Sequence, residues 1–205
     1  MTSTSSSLPR STPSAQGVDA AGVERLLDAV GQTEAEMHSL MVLRHGNVIA
    51  EGWWTPFAPD LKHLVYSLSK TFTSAAAGLA VAEGRFGLDD VMIDHFPELV
   101  PDDVDDKYRR YLVRHALTMS SGHESEALDR AAAAAEGAGG DVLAGFFRVP
   151  PEREPGSVFA YSQPTIYGVG RLVAKTTGGT ILDYLRPRLL EPLGIHEAQW
   201  MMLGD

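Results

Sequence analysis

Cysteine is absent from this 205-residue sequence. Without cysteine the chain forms no disulfide, carries no thiol nucleophile and offers no cysteine-based metal site. Positive charge is also scarce, because 17 Lys and Arg residues stand against 27 Asp and Glu residues, a formal net charge of -10. No basic stripe is visible, which argues against nucleic-acid binding.

Long apolar runs are missing too. No segment reaches the roughly 20 apolar residues that a membrane-spanning helix needs. The N-terminus has no apolar run behind a basic end, so no signal peptide is predicted. We therefore expect a soluble, cytoplasmic protein without a membrane partner. The apolar content of 44% is ordinary for a globular chain, and the length allows one medium domain with a real core.

The first part of the sequence predicts a tail, a helix and a hairpin. Residues 1–18 are rich in Ser, Thr and Pro and predict a flexible tail. Asp19 is suited to cap a helix that ends near Val30. Strand-like runs at 39–44 and 48–53 flank a His-Gly-Asn turn, which is typical of a β-hairpin.

The rest of the chain is predicted to be mainly helical. Asp89 and Asp90 are expected to cap a turn rather than to bind a metal. The histidines show no metal-ligand spacing, and His115 and His123 are expected to be structural. An aromatic cluster near the end of the second strand either packs on the sheet or forms a wall of a substrate cleft. It consists of Trp53, Trp54 and Phe57. Helices are predicted over 68–83, 111–119, 125–138, 141–147, 167–175 and 181–190.

One motif carries chemistry, and it is the only Ser-x-x-Lys in the chain, formed by Ser67 and Lys70. It opens the apolar helix predicted over 68–83. Residues three apart share one face of a helix, so the two side chains can meet. A serine hydroxyl needs a base to become a nucleophile, and a lysine serves if burial or nearby positive charge lowers its pKa. Backbone N–H groups at a helix start also favour developing negative charge.

The motif alone has a second interpretation, an ordinary helix start with an exposed lysine. The nucleophile–base interpretation requires that apolar neighbours bury the lysine. The residues that are expected to do so are Leu64, Val65, Phe72, Ala75 and Leu79.

The context of the motif favours chemistry. The motif lies after a paired-strand pattern and before an Ala-rich helix, and further phrases follow it: GRFGLDD at 84–90, RHALTMSSG at 114–122, PGSVFAYS at 155–162 and LEPLGI at 190–195. Together they resemble the β-lactamase-related serine hydrolases, which include class C β-lactamases, DD-peptidases and β-lactamase-like esterases. The resemblance runs from about residue 20 to the last residue.

The resemblance implies an α+β fold, in which a helix-flanked antiparallel sheet is joined to a helical region. The sheet and the Ser-x-x-Lys helix would occupy 19–84, and the mainly helical region 85–205. In the family the chain continues with three more strands, a helix, a third motif and the second N–H of the oxyanion hole. We therefore expect an N-terminal part of such a domain, in which the loss of one oxyanion donor costs roughly a hundred- to a thousandfold in rate.

The second motif of the family is Tyr-x-Asn after a Pro-Gly turn. By resemblance, Tyr161 takes the place of the tyrosine that shares the acid–base work; the alternative is a core tyrosine on a turn. Gln163 stands where asparagine is usual, so its reach to a substrate differs, and Ser162 is a second candidate for substrate binding. Lys175 opens a Lys-Thr-Thr-Gly run that looks like the third motif. It is instead expected at a helix C-terminus, where lysine and glycine are favoured.

These observations predict acyl transfer from an ester or amide to water. Ser67 attacks, Lys70 and Tyr161 share its proton, the Ser67 N–H supplies half of the oxyanion hole, and no metal or organic cofactor is needed. A β-lactamase or DD-peptidase is the alternative of the same chemistry, and faster hydrolysis of a cephalosporin than of a short ester would favour it. A non-catalytic binding protein on the same scaffold is the alternative of another class, which the absent strands would favour.

Overall fold

The computed structural model describes residues 8–201, and the chain separates into two compact units, residues 1–64 and 65–205. Within the described residues there are seven α-helices and one two-stranded sheet. The sequence grouped the Ser-x-x-Lys helix with the sheet, over 19–84. The structure instead groups that helix with the later helices, because it packs on two of them.

The first unit is built on a helix and a hairpin. Helix α1 spans Ala20–Gly31, and the predicted cap is present, because the Asp19 carboxylate accepts the Ala21 N–H at 3.1 Å. Strands β1 (Ser39–Arg44) and β2 (Asn47–Trp53) pair antiparallel, as predicted. The tight turn between them needs two left-handed residues, His45 and Gly46, with φ of 49° and 76°.

Of the predicted flexible tail over 1–18, the structure describes residues 8–18. Residues 1–7 lie outside the described residues. Further along, the Val48 N–H donates to the Pro9 carbonyl at 2.8 Å, and the Ser11 N–H donates to the Val48 carbonyl at 3.0 Å. The prediction is therefore wrong for residues 9–11. The edge of β2 presents unpaired backbone groups, and this short segment satisfies two of them, the N–H and the carbonyl of Val48.

One ring of the predicted aromatic cluster, that of Phe57, makes a packing contact next to the sheet. The Phe57 ring stacks on His38 with 3.8 Å between ring centroids, inside the first unit. Trp53 keeps 37% of its surface exposed.

The second unit contains the remaining helices. They are α2 (Ser69–Ala82), α3 (Val113–Leu117), α4 (Leu128–Ala135), α5 (Val142–Phe146), α6 (Gln163–Thr177) and α7 (Ile181–Leu185). Short 3-10 segments lie at Ser14–Gln16 in the first unit and at Tyr66–Leu68, Met92–His95, Pro97–Leu99, Asp106–Arg110 and Glu136–Ala138 in the second.

Helix α2 packs on α6 and α7 through small side chains. Its buried face consists of Thr73, Ala76, Ala77 and Ala80, which let neighbouring helices approach closely. The helix ends before Gly84, whose φ of 67° suits a left-handed residue after a helix. A second close approach joins α4 and α5, where a Cβ on Gly145 would collide with the Ala131 carbonyl oxygen.

The core of the second unit is aromatic. Tyr108, Tyr111 and Phe146 have no more than 1% of their surface exposed. The Tyr108 hydroxyl donates to the Phe146 carbonyl at 2.5 Å and to the Val149 carbonyl at 2.9 Å. This tyrosine therefore ties the end of α5 to the segment that precedes α3.

The largest differences between predicted and observed helix bounds are in α6 and α7. Helix α6 begins at Gln163, four residues before the predicted start, because Pro164 is tolerated in a first helical turn. The helix predicted over 181–190 is α-helical only to Leu185 and continues as a π-helical turn over Arg186–Leu190. Pro187 lacks the N–H that a regular α-helix would use there.

Candidate active site

Ser67 lies on the 3-10 turn Tyr66–Leu68 that leads into α2. The preceding residue, Tyr66, has a φ of 43°, a left-handed conformation that costs a non-glycine residue roughly 1–2 kcal/mol. Strain of this kind is concentrated at functional sites. Here the strained residue is Tyr66, which directly precedes Ser67 on the turn that leads into α2.

Lys70 lies in the first turn of α2, and its Nζ donates to Ser67 Oγ at 3.0 Å. The spacing of three residues thus brings the two groups together locally, as the sequence analysis expected. The expected apolar enclosure is incomplete, because Leu64 and Val65 keep 59% and 43% of their surface exposed. Only the residues on α2 itself, Phe72, Ala75 and Leu79, are partly buried.

Tyr161 reaches the same oxygen from 94 residues away, and its hydroxyl donates to Ser67 Oγ at 2.8 Å. The Lys70 ammonium lies 5.2 Å from the centre of the Tyr161 ring. The structure therefore brings together the three residues predicted to be catalytic. Ser67 and Tyr161 remain exposed, Tyr161 by 44%, so a substrate can approach them.

The environment of Tyr161 favours its ionised form. Its pKa is lowered, first by the hydrogen bond between Tyr161 and Lys70 and then by the one between Tyr161 and Ser67, with the positive charge of Lys70 acting in the same direction. Partial desolvation and the negative charge of Glu126 oppose this shift. A phenol with a lowered pKa is better suited to accept a proton near neutral pH.

An apolar cavity of about 430 Å³ opens beside the site. Lys70 and Gln163 lie at its border, and Leu128, Val142 and Ile166 supply apolar wall. A cavity of this size and character suits the binding of a small, mostly apolar molecule.

The two predicted substrate-binding residues differ in position. Gln163 is the first residue of α6 and borders the cavity. Ser162 has only 2% of its surface exposed, and within residues 8–201 its hydroxyl has no hydrogen-bond partner. The proposed contact of Ser162 with substrate is therefore corrected: the extended backbone at this position turns its side chain inward.

Glu126 is the residue near the site that sequence reasoning missed. Its carboxylate accepts the Gln163 N–H at 3.1 Å and also the N–H groups of Ala127 and Leu128. An acidic residue before an Ala-rich helix is a signal for a helix start. The sequence contains no comparable signal for the bond to α6, which depends on tertiary structure.

Both histidines of interest have structural contacts. His115 Nδ1 accepts the Leu112 N–H at 3.2 Å, which stabilises the start of α3. His123 is buried between Ser121 Oγ at 2.9 Å and the Val149 carbonyl at 3.1 Å. Burial lowers the pKa of both imidazoles, so their neutral forms are favoured.

Lys175 also agrees with its structural interpretation. It lies near the end of α6, where its Nζ pairs with Glu98 at 2.7 Å and lies over the Phe96 ring. Gly178 follows in a left-handed conformation with φ of 78°. Among residues 8–201, no cluster of three His, Asp or Glu side chains is arranged to hold a metal ion. The described part of the chain also has no helix of sufficient length and apolarity to span a membrane.

Solved structures define the class of fold. The D-stereospecific amidohydrolase from Streptomyces sp. superposes with a TM-score of 0.66 at 23% identity, over 86% of this chain and 55% of that one. The penicillin-binding protein homologue from Pyrococcus abyssi gives a TM-score of 0.61 at 23% identity, over 86% and 43% of the two chains. The predicted α+β fold, with its hairpin and helical region, is confirmed as β-lactamase- and penicillin-binding-protein-like.

The family follows from the sequence match. The Beta-lactamase family model matches residues 23–201, and the chain belongs to this family. The chain is 28% identical over 153 residues to a lovastatin esterase from Penicillium rubens, which is 65% of this chain and 38% of that protein. It is 36% identical over 61 residues to a 6-aminohexanoate-dimer hydrolase from Paenarthrobacter ureafaciens, 30% of this chain and 16% of that protein. The chain thus spans well under half the length of these two relatives.

Proposed function

We propose that this chain carries the nucleophile and the acid–base residues of a serine hydrolase that cleaves an ester or an amide through an acyl-serine intermediate. One observation carries the proposal: Lys70 and Tyr161 both hydrogen-bond to the oxygen of Ser67, at 3.0 and 2.8 Å. A serine hydroxyl becomes a nucleophile when a neighbouring base within hydrogen-bond distance can take its proton, and here two polar groups lie at that distance.

The path of the Ser67 proton follows from this geometry. With Lys70 positively charged, the phenol of Tyr161 has a lowered pKa, and its ionised form accepts the Ser67 proton. The serine oxygen then attacks the substrate carbonyl, and the leaving alcohol or amine takes the proton back from Tyr161. Water then attacks the acyl-serine while Tyr161 takes its proton, and the Ser67 oxygen receives that proton as the acid product leaves. The backbone N–H of Ser67 supplies one donor to the oxyanion.

The substrate class rests on the relatives and on the cavity. The similar proteins include a lovastatin esterase and a D-stereospecific amidohydrolase, which together favour ester or amide cleavage. The cavity beside Lys70 and Gln163 suits an apolar acyl group. An esterase is therefore the first choice. A cytoplasmic location, with no nucleic acid and no membrane as partner, stays a prediction from the sequence.

The proposal is tested by intact-mass measurement after exposure to a fluorophosphonate. A single adduct that maps to Ser67 and disappears in Ser67→Ala is expected. Ser74→Ala is the matched control, because Ser74 is an exposed serine on the same helix and should leave the adduct in place. A folded chain that gives no adduct would contradict the proposal and favour a non-catalytic binding protein.

The β-lactamase or DD-peptidase alternative is favoured by the family model and by the fold of the penicillin-binding protein homologue. A comparison of a chromogenic cephalosporin with a short nitrophenyl ester separates the two. Faster ester hydrolysis is expected, and faster cephalosporin hydrolysis would reverse the order.

A further inference from the structure

A single carboxylate connects two helix starts beside the site. Glu126 accepts the Gln163 N–H with both oxygens, at 3.2 and 3.1 Å. Its Oε1 also accepts the N–H groups of Ala127 at 2.9 Å and Leu128 at 3.1 Å. The bonds within its own segment are local, whereas the bond to Gln163 spans 37 residues. Glu126 therefore joins the start of α4 to the start of α6.

This connection lies next to the catalytic loop. Tyr161 is two residues before Gln163, and on its other side the Ala160 N–H donates to the Met119 carbonyl at 3.1 Å. The backbone is thus held on both flanks of Tyr161. On the second flank, Ser162 makes no capping bond and Pro164 has no N–H. The Thr165 hydroxyl donates to the Ser162 carbonyl at 3.1 Å, a bond within the start of α6, whereas Glu126 joins this start to another helix. Glu126 supplies the acceptor that a helix-capping side chain would ordinarily supply.

We propose that Glu126 is a positioning residue for Tyr161: by anchoring the first amide of α6, its carboxylate holds the tyrosine hydroxyl within hydrogen-bond distance of Ser67. Glu126 does not touch the serine oxygen, and its effect passes through the loop. The inference deepens the proposed function and rests on that function for its kinetic readout.

Glu126 also acts on Tyr161 by its charge. The charged and hydrogen-bonding groups that shift the pKa of the phenol are Lys70, Ser67 and Glu126. Lys70 and Ser67 lower the pKa of the phenol, and the negative charge of Glu126 raises it. Removal of that charge should therefore move the ionisation of Tyr161 to lower pH, whereas a residue that merely stabilises α4 would leave it unchanged.

Three variants separate position from charge. Glu126→Ala removes both the acceptor and the charge, and Glu126→Gln keeps one acceptor oxygen without the charge. Glu124→Gln is the matched control, because Glu124 is an exposed acid two residues earlier whose carboxylate pairs with Arg153 at 2.6 Å. The readouts are the rate of fluorophosphonate labelling and the pH midpoint of Tyr161. The midpoint is followed by NMR of tyrosine labelled with ¹³C at Cζ and assigned with Tyr161→Phe.

Glu126→Ala should slow labelling on the order of a hundredfold, since a small misplacement of a catalytic group has effects of that size. Glu126→Gln should retain more of the rate and lower the Tyr161 midpoint, because the loop is still held and only the charge is lost. Glu126→Ala also releases the phenol from Lys70 and Ser67, so its Tyr161 midpoint should lie above that of the Gln variant. Glu124→Gln should change neither quantity. If Glu126→Ala does not fold, Glu126→Gln decides through its labelling rate, which should lie below that of the wild type because one of the two acceptor oxygens is lost.

Labelling of Glu126→Ala at the wild-type rate, or the same Tyr161 midpoint in the Ala and Gln variants, would overturn the inference, even with a lower melting temperature. Glu126 would then be a helix-capping residue and nothing more. Absence of labelling in the wild type would instead defeat the proposed function, and the NMR midpoints would still decide whether Glu126 acts on Tyr161.

Discussion

Two groups of tyrosines in the second unit have opposite environments. Tyr161 is exposed and accompanied by a lysine and a serine, and its pKa is lowered. Tyr108 and Tyr111 are fully buried among aromatic rings, and burial raises the pKa of both. The environment therefore favours the ionised form of the side chain in one place and its neutral form in the other. What differs is solvent access and the presence of one cation, since desolvation disfavours the charged form and a nearby opposite charge favours it.

The largest expected effect is on the rate of the reaction at Ser67, with no change in the stability of the protein. Tyr161→Phe removes the hydroxyl that lies 2.8 Å from Ser67 Oγ and keeps the ring. A positioned acid–base group contributes roughly a hundred- to ten-thousandfold, so the rate of fluorophosphonate labelling should fall within that range. The melting temperature should stay close to that of the wild type. Labelling at an unchanged rate would remove Tyr161 from the catalytic residues and end the contrast with the core tyrosines.

A second substitution should lower the stability of the protein and leave the reaction at Ser67 unchanged. Gly145→Ala places a methyl group against the Ala131 carbonyl where α4 meets α5. Overpacking of this kind costs about 1–3 kcal/mol, and contact with backbone places it at the upper end. The free energy of unfolding is measured with urea. Gly137→Ala is the control, because the space around that glycine is open. Equal stability of the two variants would show that the α4–α5 contact can relax.

The sequence alone predicts the contacts between residues that are close along the chain, but not those between distant residues. Ser67 and Lys70 meet because a helical spacing of three residues brings them together, and that spacing is legible in the sequence. The place of Tyr161 came from resemblance, since no local rule joins residues 94 positions apart. The hairpin and the start of α1 were predicted from turn and capping residues, whose effects are short-range.

The errors have tertiary causes. Residues 9–11 were expected to be part of a flexible tail, but they bond to the edge of β2, which no composition rule anticipates. Ser162 was expected to contact substrate, but its side chain is buried. Glu126 was passed over because its importance depends on a bond to another helix. Propensity and pattern describe neighbours in sequence, and these contacts join segments that are distant in sequence.

The third prediction concerns the core tyrosine with the best-defined contacts. Tyr108→Phe removes the hydroxyl that donates to the Phe146 and Val149 carbonyls. Loss of a buried hydrogen bond costs about 0.5–1.5 kcal/mol when the acceptors keep other partners. Here the Phe146 carbonyl also accepts the Val149 N–H, and the Val149 carbonyl lies 3.1 Å from His123 Nε2. The midpoint of urea unfolding should therefore fall, and labelling of the folded protein should not change. A Tyr108→Phe variant as stable as the wild type would mean that these other partners satisfy both carbonyls.

The smallest expected effect is a difference in pH alone, seen by titrating the tyrosines optically. Tyr161 should ionise below the ordinary tyrosine pKa of about 10, because its folded-state pKa is lowered. Tyr108 and Tyr111 have raised folded-state pKa values. The stability they contribute is fully present below the unfolded pKa and is lost as pH rises above about 10, so they should ionise only as the protein unfolds. Lys70→Met should raise the early midpoint towards the ordinary value and leave the late step unchanged. If the early midpoint did not move, the cation beside Tyr161 would not be the cause of its ionisation, and the contrast between the two groups would reduce to solvent exposure.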